Sequence, residues 1–233
     1  MKSQRIHPPL ALARKMIVIS DFDGTITEKD SLVEILDRYA SPDWHKIARL
    51  VKSGRMGTRI GLRKECALCR VTRKEYLIFL KRHIRIDRTF KKFLPFCEKN
   101  KIRFIVVSGG FTLNIRAIFE KYALKNVPYY ANSVAFKGNV VKARFPSPDK
   151  HCAGCSHCKA PYVRRYKKLG YYTVFVGDSV TDQCPAKVAD LVFAKHHLID
   201  YCKENHIPYV PYGSFADIQA YLKSRLSKII TAT

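Results

Sequence analysis

Short, largely apolar runs recur along the chain and end at polar or acidic residues. The runs are Met16–Ile19, Ile102–Val107, Thr173–Val176 and Leu191–Ala194. The first of them shows no alternation of apolar and polar residues, which is typical of a strand buried on both faces of a parallel sheet. The pattern predicts an α/β fold in which these runs are the strands.

Between residues 28 and 90 the strand pattern gives way to apolar residues at helical spacing. Three helices are predicted there, with Pro42 between the first two. Gly54, Gly57 and Gly61 mark breaks or positions where helices pack closely. The segment is therefore predicted to be a helical insertion after the first strand.

After Thr89 the chain returns to alternating strands and helices. Further helices are predicted at Leu113–Tyr122, Lys159–Leu169 and Phe215–Leu226. Short strands within Val127–Arg144, joined by a turn at residues 137–140, predict a hairpin.

Two carboxylates follow the first apolar run. Asp21 and Asp23 flank Phe22, so if the strand persists their side chains point the same way. Like charges this close repel each other unless a cation or a shared proton lies between them. Gly24 lets the backbone turn tightly, and Thr25 places a hydroxyl near the turn. This pattern indicates a metal site at the end of the first strand.

Polar groups also follow the later strands. Ser108 ends the second run, Lys159 precedes the third, and Gly177–Asp182 follows it with Asp178 and Asp182 across a turn. Ligands of open parallel sheets bind at the carboxyl ends of the strands, which is where these groups are expected. Clustered carboxylate oxygens favour Mg²⁺.

These parts, in this order, resemble the four motifs of the haloacid dehalogenase (HAD) superfamily, whose members mostly hydrolyse phosphomonoesters through an aspartyl-phosphate. The resemblance implies an α/β fold with a HAD-like Rossmannoid core, in which a parallel sheet is the middle of three layers. It also implies a small helical cap inserted after the first strand. The implied activity is that of a Mg²⁺-dependent phosphatase acting on a small phosphorylated substrate.

The resemblance assigns roles residue by residue. Asp21 is expected to be the nucleophile, Asp23 the general acid and base, and Lys159 a stabiliser of the transition-state charge. The expected phosphate-binding residues are Thr25, Ser108, Gly109, Gly110 and Lys159. The expected Mg²⁺ ligands are Asp21, Asp23, Asp178 and Asp182. For Asp182, direct contact with the ion and a supporting position behind the ligands both stay open.

The resemblance also divides the chain into parts. The predicted parts are a tail at 1–15, a catalytic core at 16–30 and 87–233, and a cap at 31–86. In this family such a cap covers the catalytic site and selects the substrate. Candidate substrate contacts are Asp30, Arg59, Arg63 and Lys64, with ordinary surface charge as the alternative for each basic residue.

Within the superfamily, Ser108–Phe111 and the helical cap resemble the phosphoserine phosphatase group. Two features depart from it, because Asp30 stands where that group carries a Glu and Ser179 where it usually carries a Gly. These features and Ala189–Ala194 are more similar to the 2-hydroxy-3-keto-5-methylthiopentenyl-1-phosphate phosphatases of methionine salvage. Activity on phosphoserine, phosphoethanolamine or phosphocholine remains an alternative, as does a HAD phosphatase acting on nucleic-acid ends or phosphoprotein.

A stretch rich in cysteine and histidine precedes Lys159. It contains Cys152, Cys155 and Cys158 at intervals of three residues, together with His151 and His157. This spacing is typical of metal ligands. A structural Zn²⁺ held by the three cysteines and one of the two histidines is one interpretation, and reduced thiols in a loop are the other.

The overall composition adds three expectations. No apolar run approaches the ~20 residues of a membrane span, and residues 1–15 lack the apolar segment of a signal peptide, so a soluble, cytoplasmic protein with no membrane partner is expected. The net charge of +24 favours anionic partners. Nucleic acid is not favoured among them, because the basic residues form neither a compact block nor an alternation with aromatic residues.

Overall fold

The computed structural model describes residues 15–145, 152 and 154–230, so the predicted N-terminal tail lies outside the described residues except for Lys15. Within the described chain, seven strands form one sheet in the order β4-β3-β2-β1-β5-β6-β7. The strands are β1 (Met16–Ser20), β2 (Ile102–Phe111), β3 (Tyr129–Lys137), β4 (Val140–Arg144), β5 (Tyr172–Gly177), β6 (Leu191–Ala194) and β7 (Val210–Pro211). The pairs β1–β5, β2–β3, β5–β6 and β6–β7 are parallel, and β3–β4 is antiparallel.

The same part of the chain forms ten α-helices. They are α1 (Ser31–Tyr39), α2 (Trp44–Lys52), α3 (Thr58–Leu68), α4 (Arg73–His83), α5 (Phe90–Lys99), α6 (Thr112–Lys121), α7 (Ala160–Lys168), α8 (Gln183–Ala186), α9 (His197–Glu204) and α10 (Phe215–Ile230). None of these helices is long and apolar enough to cross a membrane.

The apolar runs form the strands that their pattern predicts. Every residue of β1 and of β5 is buried, and Val18 pairs with Val174 in the centre of their register. The strand β2 differs from expectation, because it continues past Val107 to Phe111 with an irregular register against β3. β7 was not predicted, since a strand of two residues is too short to show a period.

The chain divides into two compact units. The first unit comprises the chain up to Asp21, Asp87–Ile105 and the chain from Lys159 onward. The second unit comprises Phe22–Ile86 and Val106–Cys158. The first unit therefore holds β1, β5, β6 and β7, the second holds β3 and β4, and β2 passes from one to the other.

The first unit has an aromatic core between two helices. The rings of Phe90 and Phe93 on α5 lie 4.8 and 5.2 Å from the ring of Phe215 on α10. The backbone N–H of Phe215 also donates to Oδ2 of Asp87, at 2.7 Å. This contact satisfies a donor at the start of α10 that has no partner within the helix.

The second unit joins the predicted cap helices to α6 and the β3–β4 hairpin. Gly61 lies inside α3, and a Cβ at this position would clash with Cγ2 of Val51 on α2. Of the two roles predicted for Gly61, the structure therefore shows close helix packing. The hairpin turn contains Gly138 with φ of 59°, a backbone conformation that favours glycine.

Candidate active site

Three carboxylates converge in the first unit. An oxygen from each of Asp21, Asp178 and Asp182 lies within 4.8 Å of an oxygen of the other two. Asp21 directly follows β1 and Asp178 directly follows β5, and these two strands are parallel neighbours in the sheet. The parallel pairing of β1 and β5 therefore brings these carboxylates together, as expected from the sequence. Their oxygen atoms are hard ligands, which fit Mg²⁺.

Lys159 lies at the centre of this group. Its Nζ is 3.1 Å from Oδ1 of Asp21 and 2.8 Å from Oδ1 of Asp182, and it donates to Oγ1 of Thr181 at 3.0 Å. The side chain is completely buried. Burial alone would lower the pKa of Lys159, but the charges of Asp182 and then Asp21 outweigh it and raise the pKa above its usual value. Lys159 therefore carries a positive charge at neutral pH.

Asp182 supports the group from behind the strand ends. Its Oδ2 accepts hydrogen bonds from the backbone N–H groups of Asp178 and Ser179, both at 3.0 Å. A Cβ at Gly177 would lie 2.6 Å from this carboxylate, so the position requires glycine. Asp182 thereby fixes the turn that carries Asp178.

Two residues of this site were not predicted from the sequence. Thr181 contacts Lys159 directly, as described above. Lys195 follows β6 and interacts electrostatically with Asp178 and Asp21, while burial lowers its pKa. Its position at the carboxyl end of a predicted strand was the signal that could have identified it.

Asp23 makes its contacts in the second unit. Its Oδ1 accepts the backbone N–H of Ser31 at 2.9 Å and also the Ser31 hydroxyl. Gly24, with φ of 73°, forms the tight turn that the sequence predicted. Thr25 lies in this turn with its side chain buried, and its backbone N–H donates to the carbonyl of Phe22.

The predicted phosphate-binding segment lies at the end of β2. Ser108 is buried, and its Oγ accepts the backbone N–H of Gly110 at 2.9 Å. A Cβ at Gly110 would lie 2.6 Å from Oδ2 of Asp23 and 3.2 Å from Oγ of Ser108. Glycine is therefore needed where the segment passes Asp23.

Two side chains hold the same segment through a backbone carbonyl. The carbonyl of Gly109 accepts from Nδ2 of Asn132 at 2.8 Å and from Oγ of Ser156 at 3.1 Å. The backbone N–H of Ser156 donates in turn to Oγ1 of Thr58, the first residue of α3. Ser156 therefore connects the end of β2 to a predicted cap helix.

The predicted cap contacts have structural partners of their own. Asp30 is the N-cap of α1, where its carboxylate accepts from the backbone N–H groups of Leu32 and Val33. The guanidinium groups of Arg59 and Arg63 both lie 5.6 Å from the centre of the Phe145 ring, within range of a cation–π interaction. These contacts fix the position of each side chain in the second unit.

Glu65 on α3 is a cap residue that the sequence did not single out. Burial first, and then the charge of Asp30, raise the pKa of Glu65 to about 7. The predicted cap therefore carries two neighbouring carboxyl groups, and one of them is partly protonated at neutral pH.

The cysteine-rich loop forms a compact group of sulfur atoms. The Sγ atoms of Cys152, Cys155 and Cys158 lie within 4.8 Å of one another, whereas His157 is buried but does not belong to this group. A tetrahedral zinc site with Zn–S bonds of about 2.3 Å has sulfur atoms roughly 4 Å apart. The described cysteines form no disulfide. His151 lies outside the described residues.

The fold and the first-unit site define a class of protein. Acidic residues at the carboxyl ends of parallel strands, with a buried lysine among them, can hold a divalent cation and stabilise an anionic group. Asp21 has a carboxylate oxygen that Lys159 and the cation could hold in place for attack on phosphorus. The arrangement is that of a metal-dependent hydrolase acting on phosphate groups.

Comparison with known proteins identifies the family. The profile of the haloacid dehalogenase-like hydrolases matches residues 18–187 of this chain. The chain belongs to this family, which confirms the resemblance seen in the motifs and the expectation of a phosphatase of the hydrolase class. Mg²⁺ is the metal that HAD phosphatases use, and the carboxylate ligands found here fit it.

Curated relatives extend over nearly the whole chain. A 2-hydroxy-3-keto-5-methylthiopentenyl-1-phosphate phosphatase of Brevibacillus brevis is 30% identical over 222 residues, which are 94% of this chain and all of the relative. The protein of that name from Bacillus cytotoxicus is 34% identical over 209 residues, covering 88% of this chain and 95% of the relative.

Solved structures support the fold. A phospho-aspartyl intermediate analogue of phosphoserine phosphatase aligns with a TM-score of 0.68 and 22% identity, covering 89% of this chain and 98% of that one. A cytosolic 5'-nucleotidase IIIB bound to cytidine aligns with a TM-score of 0.59 and 14% identity, covering 94% and 87%. The predicted α/β HAD-like fold is confirmed.

Proposed function

We propose that this protein is a Mg²⁺-dependent phosphomonoesterase that hydrolyses 2-hydroxy-3-keto-5-methylthiopentenyl-1-phosphate through an aspartyl-phosphate. The observation that carries the catalytic part is the buried Lys159, whose Nζ lies 3.1 Å from Asp21 beside the carboxylates of Asp178 and Asp182. The relatives named for this substrate, which align over most of the chain, support the choice of substrate.

In this proposal each residue of the first-unit site has a distinct task. Asp21 attacks phosphorus, and its P–O bond replaces the bond to the leaving alcohol. Asp21 and Asp178 hold Mg²⁺, which supplies positive charge to the transferring phosphoryl group when bound. Asp182 orients Asp178 and Lys159 through the contacts described above. Lys159 stabilises the charge that develops on the phosphoryl oxygens.

The second-unit residues complete the proposed reaction. Asp23 gives a proton to the leaving oxygen and later takes one from the attacking water. The hydroxyl of Ser108 binds the phosphate together with the backbone N–H groups of Gly109 and Gly110. The hydroxyl of Thr25 adds a contact from the turn. Asp23 is also proposed to contribute to Mg²⁺ binding, as the sequence predicted.

Residues 31–86 are proposed to act as the cap that selects the substrate. The helices of this segment carry Arg59, Arg63 and Glu65. Asp30 is proposed to act by fixing the start of α1 rather than by binding a substrate amine, because its carboxylate already caps two backbone N–H groups. A substrate without an amino group, such as the methylthiopentenyl phosphate, is consistent with this.

A substrate panel with a catalytic control tests the proposed function. The panel comprises 2-hydroxy-3-keto-5-methylthiopentenyl-1-phosphate, phosphoserine, phosphoethanolamine and phosphocholine. We expect the highest kcat/KM for the first of these, full dependence on Mg²⁺, and no phosphate release by Asp21→Asn. Asp200→Asn, which changes an acidic residue on α9 rather than at the strand ends, is the matched control and should retain activity. A higher kcat/KM for phosphoserine would assign the alternative substrate, and activity in Asp21→Asn would refute the mechanism.

The net charge of +24 gives a reason to test an anionic macromolecule beside the metabolites. A titration with duplex DNA at physiological salt should give only weak binding if the basic surface is a general solvated one. Tight binding with a steep salt dependence, together with phosphate release from DNA ends, would instead favour the nucleic-acid alternative.

We also propose that the cysteine-rich loop binds a structural Zn²⁺ through Cys152, Cys155 and Cys158. The clustering of their Sγ atoms within 4.8 Å supports this. A structural zinc site has four ligands, so one position is left for another group.

Metal analysis of the purified protein tests this zinc proposal. We expect about one zinc atom per chain, and a marked loss of zinc in Cys155→Ser. Cys202→Ser is the matched control, because Cys202 is a buried thiol whose pKa burial raises to about 11. Less than about half a zinc atom per chain in protein prepared without chelator would leave reduced thiols as the explanation.

A cytoplasmic location completes the proposal. Reduced thiols, free Mg²⁺ and small phosphorylated metabolites are available together in that compartment. Fractionation of cells that express the tagged protein tests this, with activity expected in the soluble fraction.

A further inference from the structure

A chain of buried hydrogen bonds leads from a cap helix to Asp23. The hydroxyl of Tyr76 on α4 donates to Oδ1 of Asn114 on α6 at 2.9 Å. Nδ2 of Asn114 donates to Oγ of Ser31 at 2.9 Å, and the Ser31 hydroxyl donates to Oδ1 of Asp23. All four residues lie in the second unit.

These hydrogen bonds are shielded from water. Tyr76, Asn114 and Ser31 all have 0% of their surface exposed. Buried polar groups cost free energy unless they are paired, so three polar side chains at such positions indicate a connected set rather than chance contacts. None of the three residues has a role in the family motifs from which the site was predicted.

Each of these hydrogen bonds is donated in the direction of Asp23. Burial raises the pKa of Tyr76 well above its usual value, so its hydroxyl keeps its proton and can donate to Asn114. With the Asn114 oxygen occupied in this way, its NH₂ group must face Ser31. The Ser31 oxygen then accepts from Asn114, and its proton is directed at Asp23.

The two oxygens of Asp23 are therefore in different environments. Oδ1 accepts both the backbone N–H and the hydroxyl of Ser31. Oδ2 lies on the side of Gly110, where a Cβ would come within 2.6 Å of it. The oxygen that faces the phosphate-binding segment is thus the one that Ser31 does not hold.

We infer that Ser31, Asn114 and Tyr76 are positioning residues that fix the carboxylate of Asp23, so that Oδ2 is the oxygen that exchanges a proton with the leaving group. In the first step the bond from phosphorus to the leaving oxygen breaks as the bond to Asp21 forms, and the proton on Oδ2 of Asp23 passes to the leaving oxygen. This inference rests on the proposed phosphatase function.

Leaving-group dependence is the readout that a merely structural role would not change. An alkyl phosphate needs proton donation to its leaving oxygen, whereas p-nitrophenyl phosphate releases a stable anion and needs it far less. For Ser31→Ala we expect kcat/KM, which reports the reaction only as far as departure of the leaving group, to fall about tenfold to a hundredfold for an alkyl phosphate. For p-nitrophenyl phosphate we expect kcat/KM to change less than about threefold.

Tyr76→Phe supplies the test if Ser31→Ala folds poorly. It removes only the hydroxyl that lies farthest from Asp23, so we expect a smaller effect. The kcat/KM for the alkyl phosphate should fall about threefold to tenfold, and that for p-nitrophenyl phosphate should not change. Tyr172→Phe is the matched control, because it removes a buried hydroxyl in the first unit that has no hydrogen-bond partner in the described structure. Ser31→Thr keeps the hydroxyl and should restore the rate with the alkyl phosphate.

The two proposals fail in different ways. If Ser31→Ala and Tyr76→Phe lower kcat/KM equally for both substrates, or not at all, while Asp21→Asn is inactive, the positioning role is wrong and the phosphatase mechanism stands. If Asp21→Asn retains activity, the phosphatase mechanism itself is wrong.

Discussion

Nζ of Lys159 lies 3.1 Å from Oδ1 of Asp21, with 0% and 5% of the two side chains exposed. Asp21 directly follows the first strand and Lys159 comes just before α7, so the pair joins two distant parts of the chain. Because Asp182 shares the same lysine, one buried cation stabilises two buried carboxylates. The consequence is that the lysine proposed to act in catalysis also contributes to stability.

Lys159→Met is expected to abolish activity and also to destabilise the fold. Removing the shared cation leaves the carboxylates of Asp21 and Asp182 buried without its charge, which typically costs about 3–5 kcal/mol. Denaturant unfolding at pH 7 measures the free energy of unfolding of each variant. The control is Lys167→Met, whose ion pair with Asp190 is partly exposed and should contribute about 1 kcal/mol or less. Equal losses in the two variants would contradict the role of burial.

Gly110→Ala is expected to lower kcat strongly while the fold remains stable. The new Cβ would lie 2.6 Å from Oδ2 of Asp23, so the carboxylate or the end of β2 must shift, and a displacement of this kind costs about a hundredfold in rate. Gly213→Ala is the control, because its Cβ would meet only Asp217 at 3.4 Å. Thermal unfolding of both variants, measured beside kcat, separates misplacement from unfolding. Unchanged kcat in Gly110→Ala would show that the site tolerates the shift.

Mg²⁺ is expected to raise the melting temperature of the protein as well as to support activity. A ligand that binds only the folded state at a hundred times its Kd adds about 2.7 kcal/mol to the free energy of unfolding. Asp178→Asn should lose most of this increase, because it removes one of three converging carboxylates. Asp190→Asn should keep it, since Asp190 instead binds Lys167 and Thr173. Calorimetry with and without chelator gives the result, and equal Mg²⁺ shifts in both variants would place the ion elsewhere.

Glu65→Gln is expected to stabilise the protein in alkaline but not in acidic solution. The folded-state pKa of about 7 exceeds the ordinary pKa of 4.5 for a glutamate side chain, so the folded state disfavours the charged form. The contribution of Glu65 to stability is therefore most favourable below pH 4.5 and becomes less favourable as pH rises to about 7, with a total change on the order of 1–3 kcal/mol. Unfolding of both proteins at pH 5 and pH 8 checks this. A gain at pH 5 as large as that at pH 8 would contradict the assignment to Glu65.

The strands and the chemistry at their ends could be predicted from the sequence. Strands buried on both faces require continuous apolar residues, and parallel pairing brings their carboxyl ends to one edge, so Asp21 and Asp178 could be expected together. The turn at Gly24 could be predicted for a similar local reason, because glycine accommodates a positive φ. The role of Asp30 was harder to predict, because a residue at the start of a helix can cap the helix or contact a ligand. The structure shows that Asp30 caps α1.

The hydrogen bonds among Tyr76, Asn114 and Ser31 could not be predicted from the sequence, because they depend on tertiary packing. Asn114 and Ser31 are 83 residues apart, and Tyr76 and Asn114 are 38 apart. Each is an ordinary polar residue within or at the start of a helix, and no local spacing indicates which distant group it will meet. Thr181 and Ser156 were missed for the same reason.

The amino-acid sequence by itself therefore determined the sheet, the order of the acidic and hydroxyl groups along the chain, and the chemistry that they can perform, because these depend on local hydrophobic pattern and residue type. Only the tertiary structure decided that Lys159 is shared by Asp21 and Asp182, and which oxygen of Asp23 is held by Ser31. The physical reason is that hydrogen bonds and ion pairs depend on distances of a few ångströms between side chains, which only the packing of distant segments fixes.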